Sequence, residues 1–452
     1  MQRLTRWSAW AGLAAVTLSV TLMAASTPTV QFSDTKLKNG LRVLIAEDHN
    51  APVFSVAISY NVGSRDERQG RTGFAHLFEH MMFKGSENVG PGEHFMLIFG
   101  NGGNMNGTTD KDRTLYYETL PANQLDLVLF LEADRMRSLD ITQANLDNQR
   151  NAVQEERRSG VDNQPYGKTF EAIDQQAYKN FAYSHSVIGS MTDLSAASVG
   201  DVAAFFKTYY APNNAVMAIV GDVKAADALA KVRQYFEPIP TQPAPTPVDM
   251  TEPAQTEERR QTIDDPLARL PRLDISFHTP PSASPDDEAL GVLANVLAGG
   301  RSSRMYESIV HQKQLTSGVG CFNTSPRGPG LFRVSAMALP GKAIPEIEAA
   351  IYAELEKVKT DAIAPWEMEK ARNSVKRGVV GGMTSSLNRA VQLTEDALFY
   401  NDPNRINTEV ERVNKVTTAD VQRVAAKYLT QANRSVVITN PKAASGSTNG
   451  GR

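Results

Sequence analysis

The chain carries an internal repeat, and this constrains its fold more than any other feature. Segments on either side of residue 240 resemble each other at an offset of about 215 to 220 residues. "VFSVAISYNVGSRDE" is answered by "LPRLDISFHTPPSASPDDE". "LYYETLPANQLDLVLFLEADRM" is answered by "LFRVSAMALPGKAIPEIEAAIYAELEKV". In that second pair a strand, a Leu-Pro turn and an amphipathic helix follow in the same order. "QRNAVQEERR" lines up with "ARNSVKRGVV", and "VGDVAAFFKTYYAPNNAVMAIVG" with "TADVQRVAAKYLTQANRSVVITN". A repeat of this length predicts two domains built alike rather than one enlarged core. Strands of period 2 alternate with helices of period 3.6 in both, so each half is expected to be an α+β domain. Each should hold a mostly antiparallel sheet packed with helices.

The stretch "EPIPTQPAPTPVDMTEPAQTEE" separates the halves. Its prolines exclude a helix interior or a central strand, so residues 237–259 read as a stiff, extended linker. The domains are then 33–236 and 260–440, with residues 441–452, ending "ASGSTNGGR", expected to be disordered. Residues 1–26 join Arg3 and Arg6 to an apolar run that closes on Ala24, Ala25 and Ser26, the pattern of a secretory signal peptide. An uncleaved membrane anchor is the other reading. No later segment is apolar for long enough to span a bilayer, so a periplasmic protein free of the membrane after cleavage is expected. A net charge of -3 argues against nucleic acid as a partner. Cys321 is the single cysteine, which excludes an internal disulfide.

Aligning the halves isolates one polar constellation. "FAHLFEHMMFKG" falls opposite "LGVLANVLAGG", with His76, Glu79 and His80 facing Leu290, Leu293 and Ala294. The second half is expected to share the architecture and lack the chemistry. The first segment reads as a helix, with Thr72 able to cap its start and Gly85 able to terminate it. Phe74, Leu77, Phe78 and Met81 form an apolar stripe; His76, Glu79, His80 and Phe83 form a second one. Two imidazoles four residues apart on one helix face can hold a metal ion, and a catalytic zinc takes three protein ligands. The third ligand is sought in "LDNQRNAVQEERRSG". There Glu156 lies on the more apolar face with Gln149, Ala152 and Val153, and Glu155 is the fallback.

The inverted His-x-x-Glu-His motif and the surrounding chain, over residues 33 to 440, resemble the pitrilysin family of zinc metallopeptidases. The resemblance is to the two-domain branch that contains mitochondrial processing peptidase subunits and bacterial relatives. It implies one zinc ion per chain on His76, His80 and Glu156, with 75 residues between His80 and Glu156. Glu79 is then the general base of a zinc metalloendopeptidase acting on peptides or unfolded segments. The family's "GGxxNAxT" appears as "GGNMNGTT", with Gly107 where alanine is usual. In the family this is an edge strand that receives the peptide, so Asn106, Thr108 and Tyr116 are expected to bind substrate.

Family members often supply an Arg and a Tyr, seven residues apart, from the second half. Here Arg327 and Arg333 lie in that region, with Val334 and Pro340 seven positions on. A heterodimer with a homologous subunit lacking zinc ligands is therefore expected, with a homodimer as the alternative. A non-catalytic structural or peptide-binding subunit is the competing function. His49, His94, His185, His278 and His311 lack metal-type spacing and are assigned surface or turn roles.

Overall fold

The computed structural model describes residues 29–442, so the signal-peptide segment and all of the expected tail beyond Lys442 lie outside the described residues. Eleven strands are found among them: β1 (Ser33–Lys36), β2 (Arg42–Glu47), β3 (Val53–Tyr60), β4 (Asn104–Thr109), β5 (Thr114–Pro121), β6 (Ala215–Gly221), β7 (Arg259–Asp265), β8 (Arg272–Thr279), β9 (Thr316–Asn323), β10 (Gly330–Ala338) and β11 (Arg434–Pro441). The first six form one sheet, in the order β1-β2-β6-β3-β5-β4, and the last five another, β7-β11-β8-β10-β9. β2 runs parallel to β6, and β7 to β11; every other pairing is antiparallel. Apart from β1, the second order repeats the first strand for strand. Pro441, assigned to the tail, closes β11, and Lys442 donates its N–H to Asp265.

Period-2 patterning explains how each sheet has two buried faces. Along β3, Phe54, Val56, Ile58 and Tyr60 enter the core of the first half, while Ala57 enters a different cluster. That cluster combines Leu44, Leu115, Val216, Ala218 and Val220 with Ala390, Leu393 and Ala397, which belong to helix Ser386–Tyr400 of the second half. The exchange is reciprocal: helix Gly167–Ala177 of the first half lays Ala172, Ile173 and Ala177 against Leu331 and Val437 of the second sheet. Small polar residues let the helices approach. Ser59 Oγ lies 2.9 Å from Thr394 Oγ1, and Thr169 Oγ1 lies 2.7 Å from Thr439 Oγ1. Each half thus roofs the other's sheet.

The connection between the halves has no regular structure from Pro240 to Glu257, and it is tied down as it passes. Val248 and Met250 pack beside Tyr178 and Tyr183, and the Glu252 carboxylate accepts the N–H groups of Lys179 and Asn180. No helix among the described residues is long and apolar enough to cross a membrane.

Candidate metal centre

Helix Phe74–Met81 carries the polar motif. Its apolar stripe explains its placement, since Phe74, Leu77, Phe78 and Met81 are all buried in the first core. The second stripe turns His76 and His80 toward helix Gln143–Arg157, and their rings meet edge to face with centroids 4.8 Å apart. Leu146, Gln149 and Val153 anchor that second helix by its buried face. Glu156, one turn beyond Val153, brings Oε2 to 3.3 Å from His80 Nε2 and 3.6 Å from His76 Nε2. Glu155, the fallback, points elsewhere and pairs with Arg158 at 3.0 Å.

These three atoms suit a divalent cation. Each presents a lone pair, and all lie within 4.8 Å of one another. A tetrahedron with ligand distances of about 2.1 Å has edges of about 3.4 Å, close to the 3.3 and 3.6 Å found here. Burial, reinforced by His80, pushes the His76 imidazole down to about 4, so it is neutral as a metal ligand must be. Closeness to the His80 ring holds the Glu156 carboxyl below its ordinary value. In the second half the equivalent Leu290, Leu293 and Ala294 are plain core.

Glu79 is buried beside the trio and faces β4. A methyl group on Gly107 would sit 3.0 Å from Glu79 Cγ, so the glycine leaves room for this side chain. Thr109 Oγ1 donates to Glu79 Oε2 at 2.6 Å. Burial raises the Glu79 carboxyl, and the Thr109 bond partly offsets this.

Asn106 and Thr108, the β4 residues expected to meet substrate, share one face of the strand. Gly107 and Thr109 share the pleat face toward Glu79, while Asn106 and Thr108 are exposed on the opposite one. The Asn106 side chain turns back to accept the Gly107 N–H, and Thr108 Oγ1 accepts from Arg113 at 2.8 Å. Tyr116 requires a correction. It is 1% exposed, with its hydroxyl 3.2 Å from that of Tyr210 and the Arg135 guanidinium over its ring, so it is a core residue that no substrate can touch.

Thr109 was missed by the sequence analysis, although alternation from Met105 through Gly107 would have placed it on the inward face. Two of the histidines assigned surface or turn roles are buried. His94 is buried with Nε2 2.5 Å from Glu118, beside the Glu132–Arg135 pair. His185 is buried against Glu67. Thr72 does not cap the motif helix; the N-cap position belongs to Gly73, and the Thr72 hydroxyl donates to Asp193.

A duplicated α+β fold with an inverted histidine motif on the first half defines the class, and comparison with known proteins agrees with it. Residues 42–191 match the family described as Insulinase (Peptidase family M16), and residues 196–375 match the Peptidase M16 inactive domain. The sequence is 30% identical to "Zinc protease PqqE" of Helicobacter pylori over 90% of this chain and 92% of that one. It is 24% identical to "Probable mitochondrial-processing peptidase subunit beta, mitochondrial" of Arabidopsis thaliana, over 90% and 78% of the two chains. Among solved structures, a protease from Helicobacter pylori superposes with a TM-score of 0.87 at 28% identity, covering 91% of this chain and all of that one. The first half of the periplasmic protease PqqL from Escherichia coli shares the fold, with a TM-score of 0.75 at 18% identity over 92% and 94% of the chains. The chain belongs to peptidase family M16, the pitrilysin family, in the branch that includes the mitochondrial processing peptidase beta subunits.

Proposed function

We propose that the chain is an exported zinc-dependent endopeptidase that cleaves peptides or unfolded segments. The convergence of His76, His80 and Glu156 from two separate helices, with Glu79 beside them and facing the edge strand β4, carries this reading. His76, His80 and Glu156 hold one zinc ion. When bound, zinc supplies Lewis acidity that acidifies water and polarises a carbonyl group. Thr109 holds Oε2 of Glu79, leaving Oε1 to take a proton from the attacking water and return it to the departing amine. Burial makes Glu79 a better base than an exposed carboxylate. β4 is the last strand of its sheet, and a substrate added along it is bound through main-chain groups, those of Asn106 and Thr108 included. Such binding is loose in sequence preference.

Export to the periplasm is supported by the N-terminal residues 1–26, and the structural neighbour from Escherichia coli is a periplasmic protease. Val334 and Pro340, standing seven positions after Arg327 and Arg333 where the family resemblance implies a tyrosine, favour a site completed by a homologous subunit. A non-catalytic subunit is the competing reading, and the intact base and ligand set argue against it.

The decisive experiment is peptide hydrolysis with a chelator control. Glu79→Gln should retain about one zinc per chain and lose at least about a thousandfold in kcat, within the range seen for groups that act in the chemical step. His76→Ala and His80→Ala should lose both zinc and turnover. Wild-type turnover in Glu79→Gln refutes the base assignment, and hydrolysis that survives complete chelation refutes the metal.

A further inference from the structure

The motif helix begins at a residue that cannot cap it. Gly73 holds the N-cap position at a φ of +84° and has no side chain to offer. No other side chain would fit there, because a Cβ on Gly73 would lie 2.6 Å from the Ile188 carbonyl oxygen, and one on the facing Gly189 would lie 2.3 Å from that of Thr72. A carboxylate from six residues upstream does the capping instead. Glu67 Oε2 accepts the Gly73 N–H at 2.9 Å and Oε1 accepts the Ala75 N–H at 2.8 Å. Both oxygens are therefore bound to the first turn, one residue short of His76.

Glu67 is in turn held by His185. Its Nε2 lies 3.0 Å from Glu67 Oε2 and 2.9 Å from the Ser64 carbonyl, while Nδ1 lies 2.7 Å from the Phe181 carbonyl. Each ring nitrogen thus faces a backbone carbonyl, which can only accept, so both nitrogens carry a proton. The ring is an imidazolium, stacked on Phe181 at 4.3 Å and buried with the carboxylate. Burial opposes that charge, but the Glu67 bond and field outweigh it and leave the His185 pKa raised.

We propose that Glu67 and His185 are positioning residues for the metal centre: a buried carboxylate–imidazolium pair that replaces the missing cap and fixes the first turn carrying His76. Neither touches substrate or metal. The proposal rests on the function proposed above for its metal part, and the cap itself stands on geometry alone.

Two measurements on the full chain test it separately. In the first, hydrogen exchange is followed over residues 73–81 in metal-free protein. Glu67→Gln offers one acceptor where two N–H groups need one each, and His185→Gln removes the charge. Both should speed exchange in this segment. Thr417→Ala, which removes a cap from helix Thr418–Tyr428 of the second half, should not. In the second, zinc is titrated against a chelator. Glu67→Gln and His185→Gln should bind about tenfold or more weakly, as for outer partners of metal ligands, while Thr417→Ala binds as wild type. Wild-type exchange in both variants overturns the proposal, as does wild-type zinc affinity in both. Should one variant fail to fold, the other decides. A wild-type chain that takes up no zinc refutes the metal reading instead, and the exchange result alone then judges the cap.

Discussion

Thr109 shows how much a single hydroxyl can matter at this centre. It is the described side chain that donates a hydrogen bond to Glu79, and the bond is short, at 2.6 Å. A hydrogen bond to a charged group contributes about 1.5–3 kcal/mol. Thr109→Val keeps the volume and the β-branch and removes the donor. Released from that bond, the Glu79 carboxylate samples other rotamers, so kcat should fall by about 10- to 100-fold. KM and zinc content should hold, because neither β4 nor the ligand trio is disturbed. Steady-state kinetics with a metal assay separates these quantities, and an unchanged kcat shows that Glu79 needs no such support. Glu155 gives the matching control. Its exposed pair with Arg158 is worth at most about 1 kcal/mol, so Glu155→Ala should be nearly silent where Glu156→Ala abolishes zinc binding.

At the scale of elements, helix Ser386–Tyr400 has the harder task, since it covers the other half's sheet while carrying Asp396. One Asp396 oxygen accepts from Gln392 at 3.0 Å, and the other is buried without a hydrogen-bond partner among the described residues. Burial lifts this carboxyl to about 7, with Glu409 adding to it and Arg405 and Arg412 opposing. The folded protein therefore holds a proton that the unfolded chain releases near its ordinary value of 3.8. The associated stability is fully present below about pH 4 and is lost as the pH rises through about 7. Asp396→Asn removes this dependence. The variant should melt higher than wild type at pH 8 and equally at pH 4, with a ceiling of roughly 4 kcal/mol at about 1.4 kcal/mol per pKa unit. Melting curves at the two pH values check it; a constant offset refutes the assignment.

The same helix marks what sequence could and could not reveal. The repeat, the mostly antiparallel sheets and the helix bearing His76 and His80 were legible because periodicity and motif spacing are local signals. The convergence of Glu156 was inferable from the buried face it shares with Val153. Which helix covers which sheet was not legible, because an apolar stripe such as Ala390, Leu393 and Ala397 does not name its partner. Tyr116 and His185 failed for a related reason: a strand tyrosine or a lone histidine reads the same whether it faces solvent or a core acid.

At the scale of the whole molecule, the reciprocal roofing makes the halves mutually dependent, and the remaining question is what completes the site. Arg327 is already engaged within the chain. Its guanidinium bonds Asn61, and its backbone N–H donates to Asp112, which also takes Arg65 and Tyr183. Arg333 is less constrained, lying over the exposed rings of Phe322 and Phe170 at 5.3 and 5.8 Å. Seven positions beyond these arginines stand Val334 and Pro340, neither of which can donate a hydrogen bond through its side chain. No tyrosine therefore follows either arginine at the spacing of seven that the family resemblance implies for a substrate-holding pair. The purified protein alone should turn over peptides slowly. Adding a homologue that lacks the zinc ligands but carries the pair should raise kcat/KM by about 10²-fold or more, the scale on which one preorganised donor acts in acyl transfer. Specific activity that climbs with protein concentration without any partner would instead identify a homodimer. Full activity that is independent of concentration would mean that one chain suffices.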